Sequence, residues 1–455
     1  MLMLVMSLVA VRVWDAPLFA ALAAGFAASW VSAATAGQGH RAIAGFAWQG
    51  LRRMVPVFWL LCLVGAMVST WLAGGTVPGL IYYGLMLVRP GTLLITAFVL
   101  ASATSMMLGS SIGTLSTVGL ALMGVSKATG VAPPLMAGAL VSGALLGDRT
   151  SPLSAAFQLI VNMTEVPRGE ALRTLAATAA PAWVLSCGCY YLVGLAREPA
   201  VGTAAQAPAA LMTGLASAYH LQWPVLLPPL VVLALALSRL PVLYGLGAGV
   251  LAGAAVAVGL QGNTARAVLS SVLLGFRLQS GDPVLDSVVA GGGLLPMVPM
   301  LLLLAFAGAF SGVMEGAGLL EGLVRPLLAR LKGARALLVG TMGLSCLTGA
   351  VMANQVLAII IPARLLRGEY KRRAVPAAWL ARALADSGTT VSPLMPWNLM
   401  AVISAAALGV PTGAYAPYAI LLYLLPLVTF VCVLWPRGSS DRPRPAPPPA
   451  GTSRD

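Results

Sequence analysis

The sequence predicts an all-α, polytopic integral membrane protein of about 11 to 13 transmembrane segments, built from two halves of inverted topology with broken helices. Two observations predict the membrane class. The 455 residues are 59% hydrophobic and only 9% charged, and their mean hydropathy is +0.91, so there is too little polar surface to cover a soluble core. A third observation, a similar sequence motif in each half of the chain, predicts the division into two halves.

The predicted segments are apolar stretches of about 20 residues, the length that a helix needs to cross a bilayer. Helices are expected because a lone strand cannot satisfy its backbone polar groups in lipid. Such stretches begin near Pro17, Met54, Thr92, Ala132, Thr174, Leu221, Leu240, Val288, Ala334 and Tyr415. Shorter apolar runs bring the total to about 11 to 13.

Changes in composition divide the chain into four parts. Two transmembrane halves, 1–197 and 221–435, are joined by a weakly apolar connection, 198–220. From residue 436 the sequence is rich in Pro, Arg, Ser and Gly, and such a segment cannot bury a core. We therefore predict a disordered tail over 436–455.

The net charge of +14 comes from basic residues in short loops between apolar stretches, such as 41–53 and 367–373. This distribution follows the positive-inside rule, so nucleic acid is not an expected partner. We predict a multi-pass protein of the cell (inner) membrane, with these loops and the C-terminal tail in the cytoplasm. The sequence leaves the oligomeric state, including a homodimer, open.

Two interruptions of the apolar pattern have similar sequences. The chain reads GDRTSPL over 147–153 and GTTVSPL over 388–394, which are 241 positions apart (392 minus 151). An aspartate accompanies each break, Asp148 and Asp386. A charged side chain at membrane depth costs about 3 kcal/mol or more, and paired breaks in two halves are typical of a transporter's ion or substrate site.

In the first half, a run of small polar residues, GSSIGTLST over 109–117, precedes Asp148. Such a run can unwind and free carbonyl and hydroxyl oxygens, which hard cations prefer; alternatively, it is a small-residue stripe for close helix packing. If 147–151 is a tight surface connection, Asp148 and Arg149 form a solvated pair. If it is a break inside the bundle, a proton and a cation compete for one carboxylate, which is the minimum requirement of cation/proton exchange.

The second half offers a matching set of oxygens over 386–398, where Gly388 lets the backbone turn and two prolines stop a regular helix. The alternative is a surface loop made of ordinary turn residues. We predict that the transported cation or solute binds between the halves, at Asp148, Thr114, Ser116, Ser151, Asp386, Thr389, Ser392 and Asn398. A transported Na⁺ would contact the carboxylates of Asp148 and Asp386.

Other classes of protein lack support in the sequence. The chain has no HExxH, GxSxG or phosphate-binding glycine loop, which argues against an enzyme or an ATP-driven pump. We expect no nucleotide or redox cofactor. A channel would be expected to show repeated identical segments or a symmetric pore motif, and neither is present. The expected partners are Na⁺ and H⁺, or a small organic solute, and the lipid bilayer.

With these residues in hand, the chain resembles the NhaC family of sodium/proton antiporters over about residues 70–398. The resemblance rests on WLAGGTVPGLIYYGL (71–85), GSSIGTLSTVG (109–119), GALLGDRTSPLS (143–154) and LARALADSGTTVSPLMPWN (380–398). Family members look like GDxxSPLSD and LSRxLEDSGTxxSPLxPWN in the last two motifs. The resemblance implies exchange of Na⁺ for H⁺ driven by an electrochemical gradient.

The chain departs from the family pattern at two positions, and each departure removes a carboxylate. Ala155 stands where the family typically has aspartate, and Ala385 stands where it typically has glutamate. A site with fewer charges is compatible with a second interpretation, an organic-acid (malate/lactate type) or amino-acid exchanger coupled to Na⁺ or H⁺.

Overall fold

The structure is a computed structural model that describes residues 18–87, 90–196, 206–238, 240–282, 285–286, 289–319 and 333–434. Most of these residues are helical, and the strands among them are β1, Phe276–Arg277, and β2, Ala290–Gly291, which pair antiparallel. The predicted all-α class is confirmed. The predicted tail, 436–455, lies outside the described residues, and so do residues 198–205 of the predicted connection.

The helices of the N-terminal part, as far as residue 196, are α1 Leu18–Thr35, α2 His40–Ala73, α3 Thr76–Leu87, α4 Leu93–Leu108, α5 Ser111–Thr114, α6 Leu120–Thr129, α7 Pro133–Thr150, α8 Ala155–Thr164 and α9 Arg168–Ala196. A π turn, Leu115–Gly119, joins α5 to α6 and is called the first π turn. A 3-10 turn, Pro90–Thr92, precedes α4.

The C-terminal part begins with a helix inside the range predicted as the connection. Its helices are α10 Gln206–Ala218, α11 Leu227–Leu237, α12 Val242–Gly259, α13 Ala265–Leu274, α14 Val298–Gly316, α15 Gly333–Met352, α16 Gln355–Arg372, α17 Ala377–Leu384, α18 Leu399–Leu408, α19 Thr412–Tyr415 and α20 Ile420–Leu434. The second π turn, Ala385–Thr389, follows α17 directly. Short 3-10 turns occupy Trp223–Leu226, Leu295–Met297, Ser392–Leu394 and Ala416–Tyr418.

The described helices are those of a multi-pass membrane protein. Five are long and apolar enough to cross a membrane: His40–Ala73, Arg168–Ala196, Val242–Gly259, Leu295–Gly316 and Gly333–Met352. Three bent pairs raise the number to eight if each pair is one span. Large apolar side chains such as Leu192, Trp223 and Leu251 are exposed on the outside, as expected where lipid is the solvent. The total of 11 to 13 segments stays a prediction.

Helix boundaries recur along the chain at a constant offset. Helices α7, α8 and α9 begin at residues 133, 155 and 168, and α17, α18 and α19 begin 244 positions later in each case (377 minus 133), at 377, 399 and 412. The ends of α4 and α15, at residues 108 and 352, have the same offset. We call 93–196 the first repeat and 333–434 the second repeat.

The two repeats pack on each other in a reciprocal way. Helix α8 of the first repeat contacts α16 and α17 of the second, while α18 of the second contacts the first π turn and α6. Likewise α9 contacts α17, α20 contacts α7, and α9 and α20 contact each other. These contacts between the repeats therefore come in pairs: where an element of the first repeat contacts one of the second, the equivalent elements contact each other with the repeats reversed. Such pairing is expected for approximate two-fold symmetry between the repeats. The division into halves of inverted topology stays a prediction.

A glycine lies at a close helix contact in each repeat. Gly147 of α7 lies against the backbone of Ser105 in α4, and Gly388 of the second π turn lies against the backbone of Ser345 in α15. A Cβ atom at either glycine would overlap that backbone. These glycines, which belong to the two similarly spelled motifs, let the helix before each break pack closely against its neighbour.

Candidate functional site

The first helix break of each repeat is built in the same way. After α4, Gly109 has a left-handed backbone (φ +65), and the Ser110 hydroxyl accepts the N–H of Gly113 at 3.1 Å. After α15, Ala353 has φ +51, and the Asn354 side chain accepts the N–H of the residue two positions later at 2.8 Å. A left-handed residue followed by an N-cap ends one helix and starts the next. We call 109–110 break 1 and 353–354 break 3.

The second break of each repeat is also closed by an N-cap. Break 2, residues 151–154, ends at Ser154, whose hydroxyl accepts two N–H groups of α8 and donates to the Asp148 carbonyl at 2.6 Å. Break 4, residues 395–398, ends at Asn398, which caps α18. The two Ser-Pro-Leu triplets occupy different places, because 151–153 lies in break 2 whereas 392–394 is the 3-10 turn before break 4.

Asp148 lies in the last turn of α7, beside break 2, with 9% of its surface exposed. Its partner is Ser111 at the start of α5, directly after break 1. The Ser111 N–H donates to one carboxylate oxygen at 2.9 Å, and the Ser111 hydroxyl donates to the other at 2.5 Å. Among the described residues, no basic side chain forms an ion pair with Asp148.

Arg149 does not form the solvated pair with Asp148 that the sequence left open. Its side chain is 1% exposed and forms an ion pair with Asp386, which is 0% exposed, through Nε and Oδ1. The same guanidinium donates to the Leu175 carbonyl at 3.1 Å and to the Thr178 hydroxyl at 2.5 Å. The other oxygen of Asp386 accepts the hydroxyls of Thr178 at 2.8 Å and Thr429 at 2.5 Å. This Arg149–Asp386 pair joins the two repeats.

The remaining oxygens predicted in the first repeat are buried. The Thr114 hydroxyl donates to the Ser110 carbonyl of break 1 at 2.9 Å, and the Ser151 hydroxyl donates to the Met106 carbonyl of α4 at 2.7 Å. Ser116, in the first π turn, is 1% exposed, and its hydroxyl has no hydrogen-bond partner among the described residues. Single π turns occur frequently at functional sites, and an unpaired buried hydroxyl there remains available to a ligand.

The oxygens predicted in the second repeat are buried as well. The Thr389 and Ser392 hydroxyls donate to carbonyls of their own helical turns at 2.9 and 2.6 Å. Asn398 accepts the N–H of Met400 at 3.1 Å and donates to the Gly349 carbonyl at 3.0 Å. Thr389 and Ser392 thus lie in the helical turns that precede break 4, and Asn398 ends that break. All three are buried, so the structure does not have the solvent-exposed loop that was the alternative.

A cavity of about 550 Å³ opens beside breaks 1 and 2 and reaches α11 and α12. No charged side chain is among its lining residues. Ala155, one of the two positions where the family typically has a carboxylate, lines this cavity together with Ser110, Gly113 and Gln158. The sequence analysis did not anticipate the part played by α11 and α12, because their apolar residues carry no polar signal.

Ala385, the other departure from the family pattern, lies in the second π turn and is 0% exposed. Three residues earlier, Arg382 is 6% exposed, its guanidinium lies 5.7 Å from the centre of the Trp379 ring, and its Nε has no hydrogen-bond partner in the described part of the chain. No cluster of three or more His, Cys, Asp or Glu side chains suited to a resident metal occurs there either. The buried charged side chains of the described residues are therefore few, and they do not form a metal-binding cluster.

Comparison with known proteins gives consistent matches. The model of the Na⁺/H⁺ antiporter family matches residues 143–435, which include both predicted aspartates. The Na⁺/H⁺ antiporter NhaC of Alkalihalophilus pseudofirmus is 33% identical over 84% of this chain and 82% of its own length. The corresponding NhaC of Bacillus subtilis is 29% identical over 85% and 87%. A malate-2H⁺/Na⁺-lactate antiporter of Bacillus subtilis is 29% identical over 81% and 79%.

Proposed function

The chain belongs to the Na⁺/H⁺ antiporter family, and on this premise we propose that it exchanges Na⁺, or Li⁺, for H⁺ across the cell (inner) membrane by alternating access. The C-terminal tail is cytoplasmic in this proposal. Two relatives that cover more than four fifths of the chain are named Na⁺/H⁺ antiporters. The structure supports the proposal through its helix breaks, because unwound backbone and polar side chains inside a bundle are where transporters bind ions.

Asp148 is the residue on which this proposal depends most. It is a nearly buried carboxylate between two helix breaks, it accepts hydrogen bonds from Ser111, and no basic side chain of the described residues pairs with it. A buried carboxylate without a positive partner requires a proton or a cation to balance it. Competition between H⁺ and Na⁺ for this one group couples the two fluxes.

Oxygen atoms around the breaks complete the proposed cation site. From the first repeat these are the hydroxyls of Thr114, Ser116 and Ser151, of which Ser116 is unpaired. From the second repeat they are the hydroxyls of Thr389 and Ser392 and the amide oxygen of Asn398. Hydroxyl and amide oxygens are suitable ligands for a hard cation. Asp386 is accessible to a cation only if Arg149 leaves it.

The test is dye-reported proton movement in proteoliposomes that hold a preset pH gradient, to which Na⁺, Li⁺, K⁺ and small carboxylates are added in turn. We expect Na⁺ or Li⁺ to collapse the gradient and Asp148→Asn to abolish this response, because the amide keeps the shape of the carboxylate but does not titrate. The matched control is Asp286→Asn, since Asp286 accepts the same two groups of one serine, Ser280, at 2.9 and 2.7 Å, but is only half-buried. Full exchange by Asp148→Asn would rule Asp148 out as the coupling group.

The cavity supports a second candidate function, exchange of a small organic acid or amino acid. Its volume of about 550 Å³ lies in the range of small-molecule sites and exceeds what a single cation needs. One relative of similar coverage is named a malate/lactate antiporter. In the same assay, a response to an organic solute together with silence to every cation would favour this second function.

A further inference from the structure

Four charged side chains are buried in the described part of the chain: Asp148, Arg149, Arg382 and Asp386. They differ in whether a partner of opposite charge is present. Arg149 and Asp386 neutralise each other, Arg382 lies over an aromatic ring, and Asp148 is the one buried carboxylate without a basic partner among the described residues. This difference bears on how many exchangeable charges the protein has.

We propose that Arg149 is a tethered cation that keeps Asp386 out of the exchange cycle, so that Asp148 alone exchanges and one Na⁺ moves for one H⁺ without net charge movement. This inference rests on the proposed function. It assigns Arg149 a positioning and charge-balancing role, and it specifies a stoichiometry of one Na⁺ for one H⁺.

The surroundings of Asp386 match this role. Every side-chain partner of its carboxylate is a donor, namely the Arg149 guanidinium and the hydroxyls of Thr178 and Thr429. The guanidinium neutralises this carboxylate and repels a metal cation, and the donors already occupy both carboxylate oxygens. The Thr178 hydroxyl is further committed, since it accepts a hydrogen bond from Arg149 at 2.5 Å.

The guanidinium of Arg149 is also fixed in place by hydrogen bonds. Besides Asp386, Arg149 donates to the Leu175 carbonyl and the Thr178 hydroxyl of α9, so its three nitrogen atoms all have partners. An arginine stays charged at any physiological pH. Moving it away from Asp386 would leave two uncompensated buried charges, which is strongly unfavourable. A transported Na⁺ or H⁺ is therefore a poor competitor for Asp386.

Asp148 differs from Asp386 in that none of its donors carries a charge. Its donors both belong to Ser111, and it retains 9% exposure beside break 2. Because one carboxylate binds either one H⁺ or one Na⁺, the charge carried on the outward and the return step is the same. Exchange through this single group is therefore one for one and independent of membrane potential.

The test measures Na⁺-driven proton movement in proteoliposomes of the full chain while K⁺ gradients with valinomycin set the membrane potential. We expect the same initial rate and the same final Na⁺ ratio at zero potential and at about 100 mV of either sign. If each cycle moved one net charge, the final Na⁺ ratio would change about 50-fold per 100 mV. Voltage-dependent exchange by the wild-type chain would overturn this inference alone, whereas no Na⁺-driven proton movement at any potential would overturn the proposed function and this inference with it.

Variants test the role of Arg149 separately. Arg149→Gln removes the tethered cation and leaves Asp386 as a second carboxylate that binds a proton. One Na⁺ shared by the two carboxylates then exchanges for two H⁺, each cycle moves one net charge, and we expect exchange that depends on the potential. The double variant Arg149→Gln with Asp386→Asn removes both charges, and we expect its exchange to be independent of the potential again. If Arg149→Gln does not fold, the measurements on the double variant and on the wild type test the inference. Voltage dependence in the folded double variant would overturn the inference.

Discussion

Arg149 and Asp386 should be energetically coupled, and the structure sets the size of the effect. Arg149→Gln leaves a carboxylate with 0% exposure without its counter-ion, and Asp386→Asn leaves a guanidinium with 1% exposure without its own. Removing one partner of a buried ion pair costs about 3–5 kcal/mol. In the double variant the two amides can hydrogen-bond to each other, and Thr178 and Thr429 can still donate to the amide oxygen, so we expect a cost of about 1–2 kcal/mol.

The measurement is the free energy of unfolding in detergent micelles for the wild type, both single variants and the double variant. The matched control is the exposed pair Arg53–Glu315, whose side chains are 53% and 39% exposed. Neutralising either partner there should cost at most about 1 kcal/mol. A double variant at Arg149 and Asp386 that is less stable than either single variant, or single variants no less stable than those of the control pair, would refute the reasoning.

Two further predictions concern the missing carboxylates, and one concerns helix packing. Ala155→Asp places a second proton-binding carboxylate in the cavity, so one Na⁺ should exchange for two H⁺ and exchange should become dependent on membrane potential, whereas Ala155→Asn should not change it; equal behaviour would show that this position does not tune the site. Ala385→Glu supplies a partner for Arg382, three residues away, and should be folded and more stable than Ala385→Gln by thermal unfolding. Gly388→Ala forces a methyl group into the facing helix and should cost about 1–3 kcal/mol, while Gly343→Ala, where nothing lies within 4 Å, should be close to neutral; equal costs would contradict the packing argument.

The helix breaks illustrate what could be read from local sequence. Glycine and small polar residues at 109–117 and 386–398 predicted interruptions, and the structure has breaks or π turns in both ranges. N-capping serine and asparagine, left-handed glycine and proline act within a few residues of their own position. The class of protein was equally accessible, because hydropathy is a sum over residues that needs no knowledge of contacts.

The Arg149–Asp386 ion pair illustrates what could not be predicted from the sequence. The sequence analysis placed Asp386 in the cation site and left Arg149 as a partner for its neighbour Asp148, whereas the structure pairs Arg149 with Asp386, 237 positions away. Thr178 and Thr429 complete the shell of Asp386, yet in sequence they are ordinary threonines in apolar helices. No local pattern distinguishes a threonine that bonds its own helix from one that reaches a distant carboxylate.

The sequence by itself therefore determined the membrane class, the all-α class, the positions of the interruptions at 109–117 and 386–398, and the two candidate aspartates. Only the tertiary structure decided that one aspartate is neutralised by an arginine and that the other is not. The physical reason is that hydropathy, capping and backbone freedom depend on neighbouring residues, whereas the charge state of a buried carboxylate depends on which distant side chains the packing of the two repeats brings against it.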